Sequence, residues 1–130
     1  MSDARLEMAD ERLRTLWPDI CAAYEMHHSG HALILTCVYR SPAEQAALYA
    51  KGRTAPGQIV TYCDGVTTLS KHNAFPARAL DFAVLVGGKI SWDSAEYAPV
   101  GMLAEERGLV WGGNWTTLVD APHIEIKEAP

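Results

Sequence analysis

Basic residues are in short supply: 11 lysines and arginines against 16 aspartates and glutamates leave a formal charge of −5 at pH 7. A dedicated nucleic-acid binder carries a basic face, so this balance argues against that class. Long apolar runs are also missing. No stretch approaches the ~20 residues that a bilayer-spanning helix needs, and membrane insertion is not expected. Cysteine is sparse and odd in number, with Cys21, Cys37 and Cys63 far apart and no C-x-x-C pair. That pattern favours reduced, mostly buried thiols of a protein made in the cytosol over a disulfide framework. Residues 1–7 are polar and lack the apolar segment of a signal peptide. There is no internal repeat, low-complexity tract or linker, and no H-E-x-x-H motif.

What is present is an ordinary globular composition, 48% apolar and 21% charged over 130 residues. That length fits one domain with a real core. Leu6, Ala9, Leu13 and Leu16 fall at helical spacing over residues 4–16. Pro18 is expected to end or kink that helix, or to open a second one that runs to about His27. His27, His28 and His31 then lie around a polar turn with no carboxylate or cysteine at ligand spacing, and read as surface histidines. Residues 32–39 are β-branched and apolar and read as a buried strand. Arg40 sits at its end, followed by a capping box of Ser41, Pro42 and Glu44 that opens a helix stopping near Gly52. Arg40 is thus held between a strand and a capped helix, which suits a charge that must be aimed; a surface arginine at a strand end is the alternative.

A short strand is expected over 58–62, a turn at Asp64-Gly65, and a second core strand over 80–85. Gly87-Gly88 reads as a hairpin turn, and Asp93 or Ser94 as the cap of a helix to about Arg107, with Gly108 at its C-terminus. Residues 109–111 and 123–127 complete the strands. Helices first, then strands with helices interposed, indicate α+β: a compact single domain with a small, mainly antiparallel sheet and helices packed on it.

Chemistry concentrates in Ser70-Lys71-His72-Asn73 through Asp81 and in Asp120-Ala121-Pro122-His123-Ile124-Glu125. Asp81 near the start of an apolar strand needs a partner charge, hydrogen bonds or a metal. His123 and Glu125 share one strand face while Ile124 and Ile126 face the other way. Glu125 is so placed that it could orient an imidazole. On spacing alone, however, one histidine per motif is weak evidence for zinc, and two unrelated histidines explain it better.

These residues resemble the S-x-H … A-x-D and D/E-x-x-H signature of a zinc peptidase family that includes D-Ala-D-Ala carboxypeptidases and dipeptidases. It also includes the L-alanyl-D-glutamate endopeptidases used as phage endolysins. Val38-Tyr39-Arg40-Ser41, Glu44-Gln45, Leu48-Tyr49, Gly52-Arg53-Thr54 with Pro56-Gly57 and Ile59-Val60-Thr61, and Trp111-Gly112-Gly113-Asn114-Trp115 resemble the phage subgroup in order and spacing. The likeness covers about residues 18–126, leaving almost no room for a separate wall-binding domain. It implies one zinc per chain held by His72, Asp81 and His123, the zinc site at strand ends. It makes Asp120 the catalytic base, Arg40 the cation on the substrate carbonyl, and Ser70 a substrate contact. The implied partner is a peptidoglycan stem peptide met by a monomer, after synthesis in the host cytoplasm and holin-type release. A D-Ala-D-Ala carboxypeptidase or dipeptidase of the same fold, and a non-catalytic zinc module that binds wall peptides, are the alternatives. The eight residues between His72 and Asp81 exceed the number in many members, which bears on the loop expected over the metal, and Asn114 stands where an aspartate is common.

Overall fold

The computed structural model describes residues 4–128. A 3-10 turn (Ala4–Met8) precedes helix α1 (Glu11–His27), strand β1 (His31–Cys37) and helix α2 (Pro42–Ala50). Another 3-10 turn (Lys71–Asn73) leads into β2 (Ala79–Val86), β3 (Lys89–Ser91), α3 (Ser94–Glu106), β4 (Leu109–Trp111) and β5 (His123–Ile126). The strands form one sheet in the order β1-β2-β5-β4, with β3 beside the far end of β2, and every ladder is antiparallel. The expected α+β architecture is therefore present.

Side-chain alternation divides the sheet into two faces. Leu80, Phe82 and Val84 of β2, with Ile124 and Ile126 of β5, point into a core closed by Leu13, Trp17, Ile20 and Tyr24 of α1 and Tyr97, Val100 and Ala104 of α3. Asp81, His123 and Glu125 occupy the intervening positions and so project from the opposite face. The period of two alone puts the polar residues where chemistry can reach them.

Several local expectations differ from the structure. Pro18 lies inside α1 and does not end it; the break falls earlier, where Asp10 caps Arg12 N and opens the helix at Glu11. β1 is an edge strand in which only Leu35 is buried, so it is apolar without being covered on both faces. Residues 58–62 form no strand, because no partner strand lies beside them. All three cysteines are free, as expected, but each is only half-buried. The added residues before Asp81 do not roof the site: Ala77 pairs with the N-terminal segment through Ala77 N to Met8 O and Asp10 N to Ala77 O, both 2.8 Å.

Other readings hold in detail. Ser41 Oγ accepts from Glu44 N and Glu44 Oε1 accepts from Ser41 N, the reciprocal capping box, with Pro42 in the first turn. Gly87-Gly88 joins β2 to β3, Asp93 caps α3, and Gly108 follows it at φ +82°, a conformation glycine adopts without strain.

Candidate metal centre and active site

Antiparallel pairing of β2 with β5 sets Asp81 directly opposite His123 and Ala79 opposite Glu125. Side chains facing each other across a ladder stand close enough to share a ligand. His72 arrives from the 3-10 turn that Ser70 caps, with Ser70 Oγ accepting from His72 N and Asn73 Oδ1 accepting from Ser70 N. The backbone of Arg40 is tied to the same turn: Arg40 N donates to His72 O and Asn73 Nδ2 donates to Arg40 O, both at 2.8 Å.

Three atoms converge. His72 Nε2 lies 3.2 Å from Asp81 Oδ1 and 3.3 Å from His123 Nδ1, and His123 Nδ1 lies 3.0 Å from Asp81 Oδ1. A tetrahedral zinc with bonds of ~2.0–2.1 Å places neighbouring ligand atoms about 3.3 Å apart, so the triangle has the size that such an ion needs. The far nitrogens fix the tautomers. His72 Nδ1 is 2.8 Å from Val38 O, to which it can only donate, and His123 Nε2 is 2.8 Å from Glu125 Oε1. With the outward nitrogens committed as donors, His72 Nε2 and His123 Nδ1 are the atoms turned toward Asp81, and once they lose their protons they are the ones left to bind a metal. The residues fit the group.

Glu125 is itself held by Lys71 Nζ at 2.6 Å, and Lys71 also donates to Ile126 O at 2.9 Å. Asp120 Oδ2 stands 3.8 Å from His123 Nδ1, beyond the triangle's edges, with 43% of its side chain exposed. With Asp81 and His123 it forms one possible ligand group, and from the same position it can instead serve a water beside His72, Asp81 and His123. Gly112 makes this approach possible, since a Cβ there would strike Asp120 O, and Asp120 N donates to Gly112 O at 3.0 Å. Trp115 covers His123 with ring centroids 5.0 Å apart.

Electrostatics differentiate these groups. Burial pushes the Asp120 carboxyl up, the Asp81 charge adds to this, and the nearby histidines and Arg40 offset only part of it. For Asp81 burial acts upward but the bonds from His123 and His72 prevail and hold it well below the usual range. Burial depresses His72, yet Asp81 and Cys37 outweigh it and raise the imidazole to about 9, while His123 also rises against burial through Asp81 and Glu125.

The structure brings together all seven residues singled out from sequence: Arg40, Ser70, His72, Asp81, Asp120, His123 and Glu125 line one groove of about 720 Å³. Asn114 is not among them; its amide donates to Glu105 at 2.8 Å on the surface. Nor are His28 and His31, which attend Tyr24: its ring stacks on His28, and its hydroxyl is 2.7 Å from His31 Nδ1. Sequence reasoning missed Cys37. Its Sγ lies 3.9 Å from His72 Nδ1 and 3.5 Å from Arg40 Nη2, and with His72 and Asp81 it forms a second possible ligand group. The thiol approaches the nitrogen already committed to Val38 O, so it backs the histidine and does not share the lone-pair triangle. Only a β-bulge after Leu35 brings Cys37 opposite Asp81, and no spacing rule signals a bulge.

Residues 24–126 match the family described as D-alanyl-D-alanine carboxypeptidase. The peptidoglycan L-alanyl-D-glutamate endopeptidase CwlK of Bacillus subtilis (strain 168) is 36% identical over 109 residues, which span 76% of this chain and 63% of that relative. Among solved structures, the Serratia marcescens L-Ala D-Glu endopeptidase ChiX superposes with a TM-score of 0.56 at 27% identity, covering 95% of this chain and 87% of the other. With most of its length matched and its polar residues gathered where such chemistry would take place, the chain belongs to the D-alanyl-D-alanine carboxypeptidase family of zinc peptidases.

Proposed function

We propose that this chain is a peptidoglycan L-alanyl-D-glutamate endopeptidase working with one zinc ion held by His72, Asp81 and His123. The observation that carries the reading is the triangle of outward-anchored ligand atoms with Asp120 beside it, in a chain related to two proteins named for that cleavage. Bound there, zinc supplies a Lewis acid that polarises the scissile carbonyl and lowers the pKa of water. Asp120 takes the proton of the attacking water at a carboxylate oxygen and hands it to the leaving amine of the D-glutamyl residue. A carboxyl raised by burial suits both halves of that transfer. Arg40 holds the carbonyl oxygen as negative charge develops on it. Ser70, on the groove wall, contacts the peptide, and Glu125 keeps His123 in its ligating tautomer.

The groove accommodates an extended stem peptide. Ile59, Val60, Tyr62, Leu69, Trp115, Leu118 and Val119 line it together with His72, Asp81 and His123. A monomer acting on the wall after cytoplasmic synthesis and holin-type release, as a phage or prophage endolysin does, belongs to the same proposal. The second reading, a D-Ala-D-Ala carboxypeptidase, draws on the description of the matched family. Mass spectrometry of digested Gram-negative-type peptidoglycan separates the two. New L-Ala C-termini are expected; release of terminal D-Ala alone would establish the carboxypeptidase instead.

A further inference from the structure

Gln45 is a fully buried polar side chain with both ends of its amide engaged. Its Oε1 accepts from Arg40 Nη1 at 2.9 Å, while its Nε2 donates to Cys63 O at 3.0 Å and to Thr61 Oγ1 at 3.3 Å. The partners dictate the orientation: a guanidinium only donates and a backbone carbonyl only accepts. The amide oxygen must therefore face Arg40 and the nitrogen must face the loop. Thr61 Oγ1 in turn accepts from Cys63 N at 3.0 Å. Gly65 clamps the same loop onto α2, since a Cβ there would meet Pro42 O at 2.8 Å and Gln45 Cβ at 2.9 Å.

The other contacts to the guanidinium are longer, 3.4 Å to Asp81 Oδ2 and 3.5 Å to Cys37 Sγ. A neutral amide also holds Arg40 without adding to the neutralisation that its ion pair with Asp81 already supplies, which a carboxylate at position 45 would do. Thr61 and Cys63 line the groove together with Arg40. We propose that Gln45 is a positioning residue: it aims the guanidinium of Arg40 into the groove and couples that aim to the 61–63 wall against which a substrate lies. This rests on the role given to Arg40 under the proposed function and deepens it, because movement of the wall on substrate binding becomes a way to set the aim of the cation.

The test is a double-mutant cycle on an L-Ala-D-Glu stem peptide, with zinc content measured for each variant. Arg40→Ala is expected to lower kcat by about a hundredfold or more. Gln45→Met conserves volume while removing donor and acceptor, and is expected to lower kcat at least about tenfold with zinc content unchanged. The double variant should be no slower than Arg40→Ala alone, since Gln45 acts through a group already removed. Wild-type kcat in Gln45→Met, or losses that multiply in the double variant, overturn the inference. Wild-type kcat in Arg40→Ala overturns instead the role of Arg40 on which it rests. Should Gln45→Met not fold, Thr61→Val probes the same coupling from the wall. Its kcat is expected to fall severalfold in the wild-type background and not in Arg40→Ala; an unchanged kcat, or an equal fall in both backgrounds, overturns the coupling.

Discussion

His123 touches Asp81 through one ring nitrogen and Glu125 through the other, and most of the site follows from that single placement. Alternation along β5 made the face shared by His123 and Glu125 legible in the sequence, as did the oddity of a carboxylate in the apolar strand at Asp81. Gln45 and Lys71 stood in quoted stretches but with no role, because the partners that give them one, Arg40 and Thr61 for the glutamine and Glu125 for the lysine, are supplied only by tertiary packing. Loss of a ligand should be distinguishable from loss of the base. His123→Ala is expected to lose both zinc and activity, and full metal occupancy in that variant would contradict the ligand set.

Protons and metal compete for the same atoms. In metal-free protein His72 stands at about 9 and His123 also lies above its ordinary value of 6.5. Groups whose folded pKa is raised stabilise fully below the unfolded value and lose that contribution as pH climbs through the folded one. Urea unfolding of chelator-treated protein should accordingly show stability falling between pH ~6.5 and ~9. Over the same window zinc must displace fewer protons, so its apparent affinity should rise. A metal-free stability that climbs over this range would contradict the ion cluster described for Asp81.

Among the elements, α2 was legible to its caps because Ser-Pro-x-Glu encodes a local geometry that needs no distant partner. Replacing Ser41 with alanine should cost about 1 kcal/mol in a denaturant titration, the usual worth of an N-cap. The segment 58–62 misled for the opposite reason. Ile59-Val60-Thr61 has strand propensity, but a strand requires a neighbour, and here Val60 and Tyr62 remain 50% and 61% exposed on the groove wall. At Pro18 only the expected end, or a second helix, fails: a proline costs one helical bond, which packing of Leu13, Trp17, Ile20 and Tyr24 along one face outweighs. The turn at Gly112-Asn114 is the element on which the base depends. Gly112→Ala should displace Asp120 and press on His123, whose Cβ would lie 3.2 Å from the added carbon, lowering kcat at least about tenfold. Unchanged turnover would show that Asp120 needs no such close approach.

At the scale of the whole molecule, one antiparallel sheet does two jobs. The face toward α1 and α3 builds the core, and the other face, reached by the same strands, presents the proposed ligands Asp81 and His123 beside a turn that carries His72. The α+β class was legible from the order of helical and strand patterns, because hydrophobic periodicity reports which face is buried. The groove was not, since it is assembled from α2 and the loops around 59–63 and 115–120, whose sequences record no mutual distance. These surfaces are proposed to meet at a zinc ion with Asp120 as the proton carrier. Measuring zinc content and peptidoglycan products side by side for the wild-type chain and Asp120→Ala tests this most directly. About one zinc per chain in both, with new L-Ala C-termini from the wild type alone, is the expected outcome. Cleavage retained by Asp120→Ala, or protein that binds no zinc at all, would contradict it.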